Sequence, residues 1–124
     1  MAGIMVSVLP HPLGVTVIAD DGRRVGTATL PPEPASRVAW AIRRAIALLR
    51  QGRDDEPAYI ERSCVGGRQV LVSAGRTVTM CVGSDSSGRN GVFAFLPPDE
   101  AARVARRILR AIGEPDPCPN FDFR

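Results

Sequence analysis

The sequence predicts an α+β fold, built from two βββα units duplicated within one chain. The units form a mainly antiparallel sheet of six or seven strands, with two helices packed on one face. Three observations carry this reading. Residues Leu30 to Ala47 (LPPEPASRVAWAIRRAIA) and Leu96 to Gly113 (LPPDEAARVARRILRAIG) align without a gap and agree at 11 of 18 positions. Each of these stretches follows three short β-rich runs separated by turn residues. The apolar residues within each then recur at spacings of three and four, the period of a helix lying on a core.

Taken in order, Ile4 to Leu9 alternates and reads as the first strand, ended by Pro10-His11-Pro12-Leu13-Gly14. Val15 to Ala19 is the second strand, and Asp20-Asp21-Gly22 supplies an Asp-Gly hairpin turn to a third strand, Val25 to Leu30. A helix follows from about Pro34 or Ala35 to Gln51, with Gly52 as a left-handed stop. The charged linker 53–57 separates the halves. Tyr59 to Val65 is an extra strand, then Gln69 to Ala74, Thr77 to Val82 and Val92 to Leu96 are strands around the loop 84–90. The second helix starts after Pro97-Pro98, where Asp99 and Glu100 suit its positive end, and stops at Gly113. The expected organisation is one domain over 1–124, with pseudo-repeats 4–52 and 58–113 and an extended tail 114–124 on which Phe121 and Phe123 could anchor.

Alternation assigns the faces. Val6, Val8, Val15, Val17, Ala28 and Leu30 are expected to face the first helix, and Val70, Val72, Val78, Met80, Ala94 and Leu96 the second. Val38, Ile42, Ala45, Ile46 and Leu49 answer from the first helix. Ala101, Val104, Ala105, Ile108 and Ile112 answer from the second. A pseudo-two-fold axis would relate the halves.

Hydrophobic residues make up 44% and charged residues 23%, a globular composition that excludes a disordered chain. The net charge is only +3, whereas a dedicated nucleic-acid binder usually carries a denser basic patch. No basic stretch followed by a clean apolar run opens the sequence, and no apolar run is long enough to span a bilayer. Cys64, Cys81 and Cys118 match no metal spacing, and an odd count suits reduced thiols in a cytoplasm. No cofactor and no metal are expected.

Candidate surfaces come from the differences between the repeats. Phe93 and Phe95 stand where the first half has Thr27 and Thr29, on the strand face turned away from the helices. With Leu71, Cys81 and Ile18 they would make an apolar patch on an open sheet face, the mark of a contact surface, unless Trp40, Leu48 or the tail covers it. The second candidate is a stripe of helical arginines. Arg37 and Arg44 repeat as Arg103 and Arg110, with Arg43, Arg50, Arg106 and Arg107 beside them. A solvated helix face is the ordinary explanation for these, and phosphate binding the alternative. Catalytic candidates are thin. His11, the single histidine, sits between two prolines, and no Ser, Asp or Cys falls in a nucleophile elbow, a carboxylate pair or a metal spacing.

The Leu-Pro-Pro segments resemble a motif of small proteins from actinobacteria and their phages. In these a strand ends in Leu-(Ser/Thr/Pro)-Pro-(Asp/Glu) and an Ala- and Arg-rich helix follows. The absence of Lys among the 16 basic residues fits the high-GC coding of such sources. The resemblance covers about a third of the chain and implies an origin, not an activity. The expected function is therefore a non-enzymatic, cytoplasmic protein that binds a host or self protein, as a homodimer or with another chain, and that stays off membranes. The alternative is a nucleic-acid-binding protein.

Overall fold

The computed structural model describes residues 5–52, 59–62, 67–85 and 89–113. Seven strands and two helices run in the order β1 (Met5–His11), β2 (Gly14–Asp20), β3 (Val25–Leu30), α1 (Pro32–Arg50), β4 (Tyr59–Arg62), β5 (Gln69–Ala74), β6 (Val78–Ser84), β7 (Val92–Leu96) and α2 (Pro98–Ala111). The class is α+β, as the sequence predicts. The linker 53–57, Cys64 and the tail 114–124, with Cys118, Phe121 and Phe123, lie outside the described residues.

The strands divide into two antiparallel sheets, β1-β2-β3 and β4-β5-β6-β7, rather than the single sheet expected. The reason lies at β6, which meets β3 but already carries β5 on one side and β7 on the other, so it has no free ladder edge to offer. The two sheets instead touch backbone to backbone. A Cβ on Gly26 would sit 2.1 Å from the Val82 carbonyl oxygen, so only glycine allows this approach. Gly83, the extra residue of a bulge between the β5 and β6 ladders, lies against the same point.

The Leu-Pro-Pro segments do the same work twice. Leu30 and Leu96 close β3 and β7 with fully buried side chains. The first proline of each pair is the N-cap and the second the first helical residue, where a missing N–H costs nothing. Both helices therefore begin slightly earlier than the periodicity predicts. Neither has a side-chain cap; the first proline's carbonyl instead accepts the first helical hydrogen bond, from Ala35 N–H at 3.0 Å and from Ala101 N–H at 2.9 Å. Past the far ends, Gly52 and Gly113 take φ of 69° and 74°. Pro10 does not end β1, because a proline is tolerated on an outer strand whose next residue still pairs, here His11 with Gly14.

The helices are exchanged. α1 leaves β3 but lies chiefly over β5 and β4, whereas α2 leaves β7 and lies chiefly over β1. The expectation that each helix covers its own half is thus corrected. A helix that must also pack along its partner reaches past its own strands to do so, and α1 and α2 do pack together. One contiguous core results, holding Val15, Val17, Ile42, Ile46, Val70, Val72, Met80, Leu96 and Ile108. Of the strand positions assigned to it by alternation only Val8 is part-exposed, and Leu49 and Ile112 at the helix ends are likewise at its margin.

Candidate functional site

Two surfaces have the make-up of a site. The first is the outer face of the four-stranded sheet. Ladder pairing sets Ile60 beside Leu71, Leu71 beside Cys81 and Cys81 beside Phe93, an apolar row crossing all four strands. Paired residues of a ladder share a face, and the buried Val70, Val72, Met80 and Ala94 take the other one. Phe95 stands in the next row, beside Thr79. The Phe93 and Phe95 rings stack, with centroids 6.4 Å apart and planes 12° from parallel, and they are 51% and 57% exposed. Cys81 is buried within this row, and burial pushes its thiol pKa up, the opposite of the shift that activates a thiol.

Of the residues expected on this patch, Leu71, Phe93 and Phe95 come together. Ile18 does not join them in their sheet. It lies on β2 of the three-stranded sheet, between Ser7 and Thr27. Ile60, which sequence reasoning missed, completes the row. Its signal was its place in a β-rich run, but a four-residue strand gives no readable alternation. Trp40 and Leu48 do not cover the patch, since both line a cleft on the helix side.

That cleft, about 480 Å³ between α1 and β4–β5, is the second surface. Ala41, Ala45, Leu48, Val72 and Ala74 make its apolar lining, and Arg37, Trp40, Arg44 and Tyr59 its polar and aromatic part. Glu61 ties the strand wall to the helix wall: its Oε1 accepts from Arg37 Nε at 2.7 Å and from the Tyr59 hydroxyl at 2.9 Å. Arg37 also bonds Glu33 one turn earlier, at 3.0 Å. Glu61 holds the Arg37 guanidinium even more firmly protonated than usual. Burial, and then the same carboxylate, push the Tyr59 hydroxyl pKa up.

The helical arginines do not form one open stripe. Arg43 is buried, with its guanidinium 5.8 Å from the centre of the Trp40 ring, which corrects its expected place on the solvated side. Arg37 is engaged by the two glutamates, and Arg103 lies 3.8 Å from Asp99. Arg44, Arg107 and Arg110 are exposed. His11 is exposed at the end of β1, where its Nδ1 accepts from the Leu13 N–H of the following turn at 3.0 Å. Among the described residues no three His, Cys, Asp or Glu side chains gather as metal ligands. Among them, too, no helix is long and apolar enough to cross a membrane.

No protein-family model, curated protein or solved structure matches the chain.

Proposed function

We propose that the protein acts by binding another protein chain through the outer face of its four-stranded sheet. The observation that carries this is the half-exposed Phe93–Phe95 stack, whose Phe93 lies in one ladder row with Ile60 and Leu71. Added together, the two exposed fractions leave about one whole phenylalanine in water, roughly 200 Å². Covering that area is worth about 5 kcal/mol before the cost of association. A fold that needed these positions only for pairing is already served by threonine, as Thr27 and Thr29 show in the other sheet.

The two halves read best as products of an internal duplication. The matched Leu-Pro-Pro entries, the matched glycine exits and the reciprocal helix exchange support it. On that reading the aromatic pair is a later addition to one copy, which is how a binding surface arises on a scaffold that already folds. The actinobacterial and phage resemblance makes a host protein one candidate partner and a second copy of this chain another, in either case in the cytoplasm and without catalysis. Phosphate binding by the helical arginines draws less support, because Arg43 is buried and Arg37 and Arg103 share carboxylates.

The test is the double variant Phe93→Ser, Phe95→Ser. Self-association by light scattering, or capture of the partner from nuclease-treated lysate, should fall at least tenfold, equivalent to about 1.4 kcal/mol. The melting temperature should stay within a few degrees of the parent's, since both rings lie outside the core. Oligomer mass and partner capture that both survive the change would refute the proposal.

A further inference from the structure

We infer that the cleft between α1 and β4–β5 binds an uncharged, largely apolar small molecule with an aromatic body. Its volume of about 480 Å³ suits a small organic molecule, since such sites commonly span about 300–1,000 Å³. On α1 the lining positions 37, 40, 41, 44, 45 and 48 recur at helical spacing and make one continuous stripe. Ala41 and Ala45, one turn apart, keep the helix wall shallow, and Val72 and Ala74 make the sheet wall apolar. Trp40 is 45% exposed, although the Arg43 guanidinium lies 5.8 Å from the centre of its ring. Tyr59 brings a second ring from the strand. Such half-open aromatic and aliphatic surface is what an apolar ligand gains by covering.

The charges at the cleft are engaged already. Glu61 accepts from Arg37 Nε at 2.7 Å and from the Tyr59 hydroxyl at 2.9 Å, and Glu33 accepts from Arg37 Nη1 at 3.0 Å. Arg44 is engaged as well. An anionic ligand would lose its hydration and would have to displace a carboxylate from Arg37 to regain a partner. A cationic one would meet the Arg37 and Arg44 guanidinium groups, of its own sign. Charge of either sign is selected against, so shape and apolar contact are left to recognise the ligand.

Among the described residues the cleft belongs to one half. β4 precedes the β5-β6-β7-α2 unit and has no counterpart there before β1. The α2 positions aligned with Trp40 and Ala41 are Arg106 and Arg107, which supply neither the ring nor the small side chain. The site is also separate from the outer sheet face and does not depend on what binds there.

N-phenyl-1-naphthylamine is the neutral probe, and 8-anilinonaphthalene-1-sulfonate, the same skeleton with one sulfonate, is its charged counterpart. Trp40 is the one tryptophan of the chain, so its fluorescence reports on the cleft itself. The expected result is saturable, one-to-one quenching by the neutral probe, with an affinity that changes less than about twofold between about 0.05 M and 0.3 M salt. The sulfonate probe should bind at least about threefold more weakly, because its charge finds no free partner. Ala41→Leu on the helix wall and Ala74→Leu on the sheet wall should each weaken the neutral probe at least about tenfold by filling the cleft. The substitutions come from opposite walls, so if a lowered melting temperature shows that one disturbs the fold, the other decides. Phe93→Ser, Phe95→Ser should leave binding unchanged, which separates this site from the outer sheet face. Non-saturating quenching, sulfonate binding as tight as that of the neutral probe, an affinity that falls with salt, loss of binding in the phenylalanine variant, or full binding in a folded leucine variant would overturn the inference.

Discussion

The two halves of this protein share a backbone plan and differ in what they show to water. In the three-stranded sheet the outward row of β3 is Thr27 and Thr29, and Thr29 shares a hydrogen bond of 2.9 Å with Thr16 across the ladder. In the four-stranded sheet the equivalent row is Phe93 and Phe95, which can satisfy each other only by stacking. A hydroxyl pair closes its own requirements within one sheet. Two half-exposed rings leave apolar surface for a second molecule to cover. The helices diverge in the same manner: Arg43 is buried where α2 has the buried Leu109, and Trp40 borders a cleft where α2 has Arg106. Leu30 and Leu96, and Ile42 and Ile108, match in the core, whereas most of these differences between aligned residues lie at the surface, which is where a function is to be sought.

That comparison can be broken outright at the seam between the halves. Gly26→Ala would drive a methyl group into the Val82 carbonyl, and backbone at that point cannot step aside as a side chain would. A loss of about 3 kcal/mol or more is expected in urea unfolding, at least as large as that of emptying a core position. Loss below about 1 kcal/mol would mean the sheets are not in contact there. The comparison sharpens in the core, where Ile42 and Ile108 are equivalent and both fully buried. Ile42→Ala and Ile108→Ala should each cost about 3 kcal/mol and agree within about 1 kcal/mol of each other. A large disparity would show that the halves contribute unequally to one core.

The smallest effect is expected at Glu61, whose bond to Arg37 has no counterpart in the other half among the described residues. Glu61→Gln should reduce stability by less than any of these changes, because Arg37 is half-exposed and solvent screens the pair. The parent's advantage over Glu61→Gln should shrink as salt rises. A salt-independent difference would place the carboxylate's role elsewhere.

The sequence carried the core almost completely. Alternation placed Val15, Val17, Val70, Val72, Val78 and Met80 inward, and the helical period placed Val38, Ile42, Val104 and Ile108, because one buried face imposes its period on residue choice. The outward aromatic pair was legible for the same reason, by parity with its buried neighbours Ala94 and Leu96. Three things were not. The division into two sheets depends on a backbone contact at Gly26 that leaves no hydrophobic pattern. Arg43 is buried, although a charged residue beside Arg44 in an amphipathic helix reads as part of its solvated face. The cleft arises where small side chains meet a four-residue strand, and empty space has no residue to announce it.

The helix exchange has a consequence for how the chain is made. α1 emerges from the ribosome before the strands β4 and β5 that it covers, and β1, made first, waits for α2, the last of the described elements. Neither half holds a helix together with the strands that helix chiefly shields, so the nascent chain cannot finish one half and then add the other. Closure of the core joins elements from β1 to α2, a non-local step that leaves apolar strands uncovered until α2 has been made.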